Sequence, residues 1–91
     1  MEMKLRSIDP FADRKDIIYF GIKFSVIRIH KYMATDKKGW VCTFREKPNS
    51  TRDEWVCGPN IYYYRDYAGM VDLNGIDWKN TLKMIKECEI K

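Results

Sequence analysis

Few side chains here have the chemistry for catalysis, and their spacing argues against it. The one histidine, His30, lies in a strand-like stretch with no partner suggested by spacing. The cysteines, Cys42, Cys57 and Cys88, form no Cys-x-x-Cys pair. With His30 they make four zinc ligands on paper, but from scattered elements without the paired spacing of a zinc site. They read better as small buried hydrophobes, and a thiol in apolar surroundings is inert. Glycine-rich phosphate loops, paired carboxylates and serine-centred elbows are absent from the sequence. The expectation is a protein that is not an enzyme, with no catalytic residues, no metal and no cofactor.

Binding has better candidates. The run Ile61-Tyr62-Tyr63-Tyr64-Arg65-Asp66-Tyr67 is aromatic and basic. On a strand, Tyr62 and Tyr64 point one way and Tyr63 the other, which leaves at least one set exposed. With Arg65, Arg28, Lys31, Lys37 and Lys38, exposed tyrosines would make a stacking platform for single-stranded nucleic acid. Tyrosine is also an ordinary strand former, and the nearby Asp53, Glu54 and Asp66 weaken any field for phosphate. Protein binding needs only a patch anchored by Tyr and Arg. The candidate partner-binding residues are Tyr62, Tyr64, Arg65, Tyr67, Lys37, Lys38 and Arg28. An exposed edge strand would also admit a second copy, giving a homodimer.

The elements that must position these residues follow from pattern and turn chemistry. The 91 residues suit one small domain, 1–91. With 45% hydrophobic and 33% charged residues, the composition is that of a folded globular chain. Residues 1–40 hold nine Lys or Arg against five Asp or Glu, and residues 41–91 hold eight of each. No apolar run is long enough to span a bilayer and no signal peptide is present, so a cytoplasmic protein without a membrane partner is expected.

Met1 to Ser7 alternates as a short edge strand would. Asp9-Pro10 resembles an N-cap followed by proline at the first helical position, which suggests a short helix over Pro10–Tyr19 ended by Gly21; a strand from Ile17 to Phe20 competes with it. From Ile22 apolar residues alternate, and the phase slips at Val26-Ile27, where a bulge, bend or break is expected. Asp36-Lys37-Lys38-Gly39 is a hairpin signal joining a strand at about Lys31–Thr35 to one at about Trp40–Glu46. Further strands are expected at Glu54–Cys57, Ile61–Arg65 and Gly69–Leu73.

Trp-Val-Cys occurs at 40–42 and again at 55–57. Setting Cys42 opposite Cys57 puts Trp40, Cys42, Phe44, Trp55 and Cys57 on one face. Asn74-Gly75 supplies a positive-φ turn, and Asp77 an N-cap. Trp78, Leu82 and Ile85 then recur at helical spacing, with Thr81 and Cys88 on the same stripe.

The fold class expected is therefore α+β: an antiparallel β-meander of four to five strands with a C-terminal α-helix at about Asp77–Cys88 packed on one face. Its core would hold Trp40, Phe44, Trp55, Val71, Leu73, Trp78, Leu82 and Ile85.

The segments Lys31–Gly39, Phe44–Pro48, Glu54-Trp55 and Val71–Leu82, the last reading Val-Asp-Leu-Asn-Gly-Ile-Asp-Trp-Lys-Asn-Thr-Leu, resemble a class of small bacteriophage and prophage accessory proteins. The likeness spans about residues 31–85 and transfers no catalytic residue. What it implies is a non-catalytic protein that binds and inhibits or modulates a host macromolecule, in anti-defence or host takeover. A host protein is the expected partner, in the host cytoplasm. The alternatives are a nucleic-acid module built on the Tyr/Arg strand and the basic N-terminal half, and a sponge for a signalling nucleotide.

Overall fold

The computed structural model describes residues 13–57 and 65–90. The first strands are β1 (Arg14–Tyr19) and β2 (Ile22–Ile27), a regular antiparallel hairpin with Ile17 opposite Phe24. Ile17, Tyr19, Phe24 and Val26 are buried while Asp16, Ile18, Lys23 and Ser25 are exposed, so the alternation sets one inward face. Phe20 and Gly21, at φ 48° and 79°, form the connection. Two consecutive positive-φ residues are the signature of a type I′ turn, whose twist matches that of a hairpin. The helix expected over Pro10–Tyr19 is therefore corrected: residues 14–19 are strand and Gly21 turns a hairpin. Residues 10–12 of that expectation, and the edge strand at Met1–Ser7, lie outside the described residues.

The phase slip at Val26-Ile27 marks the end of β2. The Ile27 carbonyl accepts from the His30 N–H at 3.1 Å, and the chain turns into β3 (Tyr32–Thr35). β3 pairs with β4 (Trp40–Phe44) through the expected hairpin. The Asp36 carboxylate accepts from the Lys38 and Trp40 N–H groups at 2.9 and 3.0 Å, the local bonding that makes aspartate a turn former. Gly39, at φ 97°, is required twice over. A Cβ there would lie 2.2 Å from the Val71 carbonyl oxygen, because Val71 crosses the turn and donates its N–H to the Gly39 carbonyl at 2.8 Å.

β5 (Asn49–Ser50) and β6 (Trp55–Val56) form a two-residue hairpin outside the main sheet. β7 (Arg65–Met70) returns to pair with β4, and β8 (Lys83–Met84) pairs with β3. The resulting four-stranded antiparallel sheet has the order β7-β4-β3-β8. A simple meander would have placed β6 beside β4. The register that set Cys42 opposite Cys57 is thus not formed, and Cys42 instead faces Ala34 and Tyr67 across the ladders.

Both faces of the sheet are covered. Met33 and Val41 lie beneath the β1–β2 hairpin with Ile17, Tyr19, Phe24, Val26, Ile85 and Cys88. Ala34, Cys42 and Phe44 lie on the opposite face with Trp55 and Cys57, and Tyr32, Trp78 and Leu82 pack around them half-buried. The expected company of Cys42, Phe44, Trp55 and Cys57 is present; Trp40 is not in it. Val71 and Leu73, also expected in the core, are half-buried.

The expected C-terminal α-helix is absent. Asp77–Cys88 folds as a 3-10 turn at Trp78–Asn80, the two-residue β8, and a second 3-10 turn at Ile85–Cys88. No helix of seven or more residues occurs among the described residues, so the α+β assignment is corrected to an all-antiparallel β architecture. The supposed helical stripe is divided between the two sides of the sheet: Trp78 and Leu82 pack on one cluster, Ile85 and Cys88 on the other. One face of a helix cannot reach both.

The chain instead wraps the β3 edge, where backbone groups need partners. The Thr81 hydroxyl accepts from the Thr35 N–H at 2.8 Å and lies 3.0 Å from the Thr35 carbonyl, continuing the edge where β8 stops. The Tyr19 hydroxyl donates to the Thr81 carbonyl at 2.9 Å and meets the Thr35 hydroxyl at 2.8 Å. Trp55 Nε1–H donates to the Thr35 carbonyl at 2.9 Å. Asp77 keeps its capping role on a shorter element, accepting from the Lys79 N–H at 3.0 Å. Asn74 and Gly75 adopt φ 50° and 87°, the expected tight turn.

Candidate functional site

β7 and the β3–β4 hairpin tip together present an exposed aromatic face. On β7, Arg65 pairs with Phe44, Tyr67 with Cys42, Gly69 with Val41 and Met70 with Trp40. The register shifts between Val41 and Cys42, leaving Ala68 as the extra residue of a bulge. In an unbroken strand, Tyr67 and Met70 would point to opposite faces, being three residues apart. The bulge returns them to the same face, Met70 opposite Trp40 and Tyr67 opposite Cys42.

Trp40, Tyr67 and Met70 are 39%, 53% and 59% exposed. The Trp40 and Tyr67 rings meet edge to face, with centroids 5.5 Å apart and planes at 73°, a favourable aromatic geometry. Arg65 stacks its guanidinium 5.7 Å from the Tyr67 ring centre, donates to the Trp55 carbonyl at 3.0 Å and pairs with Glu54 at 3.4 Å. Lys37 pairs loosely with Asp53 at 3.8 Å. Asp36, Lys37, Lys38, Asp53 and Glu54 line an open cleft of about 760 Å³ beside Trp40 and Tyr67. Aromatic anchors with mixed charges around them suit a protein interface better than a phosphate backbone, which carboxylates repel.

Of the residues expected to bind a partner, Arg65, Tyr67, Lys37 and Lys38 are brought together on this face. Arg28 lies elsewhere, beside the β2–β3 connection, where its guanidinium donates to Asp13 and to the Arg14 carbonyl. Tyr62 and Tyr64 lie outside the described residues, as does most of the expected strand Ile61–Arg65. Sequence reasoning missed Trp40 and Met70. Alternation with Cys42 and Phe44 puts Trp40 in the core, and it does share their face. It sits at the end of that face, however, beyond the cover. Met70 left no signal, because a bulge cannot be located from apolar spacing alone.

The reactive groups are enclosed. His30 is buried, with Nδ1 2.7 Å from the Thr43 hydroxyl, and burial holds its pKa below the usual imidazole range. The three cysteines are unbonded and buried. Burial pushes the Cys42 thiol up to about 12 and also raises Cys57 and Cys88, so none supplies a thiolate near neutral pH. Among the described residues no group of three or more His, Cys, Asp or Glu is placed to hold a metal ion. No helix among them is long and apolar enough to cross a membrane. No family model matches the chain, and no curated protein or solved structure is detectably similar to it.

Proposed function

We propose that this protein is a non-catalytic binding protein that docks another protein through the Trp40–Tyr67 face. The observation carrying the reading is that Trp40, Tyr67 and Met70 stand exposed together on one face of a hydrogen-bonded sheet, with Arg65 stacked against Tyr67. Trp, Tyr and Arg dominate the energetics of protein interfaces, and rigid rings lose little entropy on docking. The charged rim of Lys37, Lys38, Asp53 and Glu54 would then supply orientation. The resemblance of residues 31–85 to phage accessory proteins suggests a bacterial host protein as the partner, held so as to inhibit or redirect it during infection.

The test is capture from bacterial lysate on immobilised protein after nuclease treatment, read by mass spectrometry. The wild type is compared with a Trp40→Ser/Tyr67→Ser double variant. Retention of one host protein by the wild type and its loss from the variant is the expected result. Equal retention by both would remove this face from the interface, and loss of every partner on nuclease treatment would replace the protein target with nucleic acid.

A further inference from the structure

At the far end of the β3–β4 hairpin, four strand residues or about 14 Å from its tip, an open groove of about 570 Å³ gathers most of the chain's excess charge. It is lined by Lys15, Arg28, Lys31, Arg45 and Lys86, contributed by β1, the β2–β3 connection, the residue after β4 and the last 3-10 turn. Four of these cations are exposed and Lys15 is half-buried. Glu89 is the one carboxylate in the lining, and it is engaged by the Lys15 ammonium. Asp13 holds Arg28 through Nε at 3.1 Å. Counting both carboxylates, five cations face two anions, whereas the whole chain has a net charge of only +4.

Two features make this more than a solvated charge run. First, the cations come from four separate chain segments converging on one concavity, and like charges drawn together repel unless something anionic sits among them. Lys31, Arg45 and Lys86 have no ion pair among the described residues, while Lys15 and Arg28 are held in place by theirs. Second, the groove has the volume of a ligand pocket rather than of a flat patch, and Ile29, Tyr32 and Met84 give it apolar lining beside the charges.

We propose that this groove is a separate anion site that takes a phosphate-bearing ligand, a nucleotide or a nucleic-acid strand, independently of the Trp40–Tyr67 face. The Arg45 guanidinium offers forked donors to phosphate oxygens. The Arg28 guanidinium, held by Asp13 and the Arg14 carbonyl, adds its charge to those of the three ammonium groups around it. The apolar lining accommodates a base or sugar. An acidic peptide would satisfy the charge but would gain less from that lining.

The experiment is fluorescence anisotropy of the full chain with a short labelled oligothymidylate, with a labelled adenine nucleotide, and with labelled polyglutamate. The wild type is compared with Lys31→Glu/Arg45→Glu/Lys86→Glu and with Trp40→Ser/Tyr67→Ser. All substituted groove positions are exposed, and circular dichroism checks that each variant is folded. Expected is oligothymidylate or nucleotide binding that falls at least tenfold in the groove variant and is unchanged in the aromatic-face variant. For the oligonucleotide, log K should fall with log salt at a slope of about −2, as for three phosphates on a single strand. Binding of the nucleotide alone would identify the free nucleotide as the source, and binding of the oligonucleotide alone the strand. The proposal is overturned if neither phosphate probe binds the wild type, if the groove variant binds as tightly, or if polyglutamate binds as tightly as both phosphate probes.

Discussion

On one face of the four-stranded sheet, Met33 and Val41 lie under a hairpin of two six-residue strands, whose Ile17, Tyr19, Phe24 and Val26 cluster with them. On the other, Ala34, Cys42 and Phe44 lie under a hairpin whose strands are two residues each, with Trp55 and Cys57 as its buried side chains. Six residues of strand reach about 20 Å and two about 7 Å. Val41 of β4 is buried with the longer hairpin and Cys42 and Phe44 with the shorter one, while the first residue of β4, Trp40, belongs to neither cluster. A short cover on a long sheet leaves an aromatic end open. The candidate docking face is thus a consequence of unequal covers, and the bulge in β7 then adds Tyr67 and Met70 to it.

The contrast can be broken at its most concentrated point. Trp55 is 6% exposed and is the largest buried side chain of the short cover, besides donating to the Thr35 carbonyl. Trp55→Ala should cost roughly 3–5 kcal/mol and leave so small a domain largely unfolded. Urea denaturation reads this directly, and a near-native midpoint would mean that the short hairpin is not needed to close that face. Trp78, expected from sequence to behave as a core residue, is half-buried at the margin of the same cluster. Trp78→Ala should therefore cost clearly less than Trp55→Ala in the same measurement.

The point where the chain crosses the hairpin tip comes next. Gly39→Ala places a Cβ against the Val71 carbonyl oxygen at a positive φ, whereas Gly75→Ala meets nothing within 4 Å at a similar φ. The Gly75 change should cost about 1 kcal/mol from backbone strain alone, and the Gly39 change distinctly more. Equal thermal shifts in the two variants would show that the Val71 crossing does not restrain the tip.

On the closed face, Tyr19→Phe removes the hydroxyl that joins Thr35 and Thr81. The expected loss is about 1–2 kcal/mol by chemical denaturation, since a buried carbonyl and a buried hydroxyl lose a partner.

Acid should act on one face and alkali on both, since burial also raises Tyr19 and Cys88 on the His30 side. Thr43, the partner of buried His30, shares the face of Met33 and Val41, while Cys42 belongs to the other. His30 has its pKa lowered by burial, so below about 6.5 the unfolded chain takes up a proton that the folded chain refuses. That contribution is present above 6.5 and lost as pH falls toward the depressed value. Cys42 is the reverse case, held at about 12 against an ordinary 9.0. Its contribution is intact below pH 9 and lost as pH rises toward 12, because the unfolded thiol ionises first. Urea midpoints against pH should decline on both sides, with Cys42→Ala flattening the alkaline decline and leaving the acid one. A variant profile parallel to the wild type above pH 9 would remove Cys42 as its cause.

The smallest stability effect is expected at the open end. Trp40→Ala should shift the denaturation midpoint by under about 1 kcal/mol, because Trp40 is 39% exposed, while abolishing capture of a partner. A large stability loss would mean that the ring supports the sheet rather than waiting for a partner.

Short-range chemistry sets two of the turns and the pairing nearest to them. Asp36–Gly39 makes its hairpin, Asn74-Gly75 its positive-φ turn and Asp77 its cap because each is settled within four residues, by a carboxylate reaching nearby N–H groups or a glycine free to take the conformation. Pairing Cys42 with Cys57 grouped Trp40, Cys42, Phe44, Trp55 and Cys57 on one face. That pairing does not form and Trp40 stays outside, but the other four still cluster because alternation keeps Cys42 with Phe44 and Trp55 with Cys57. What covers each face depends on segments distant in the chain. Trp78, Leu82 and Ile85 keep helical spacing, yet the unpaired edge of β3 draws Thr81, Lys83 and Met84 alongside it, and the chain wraps the sheet instead of coiling on it. The same holds for Trp40: its face follows from its neighbours, but its exposure follows from its lying outside the cluster that Trp55 and Cys57 form on that face. Local bonds are written into neighbouring residues, whereas burial is decided by which distant segment arrives and how far it extends.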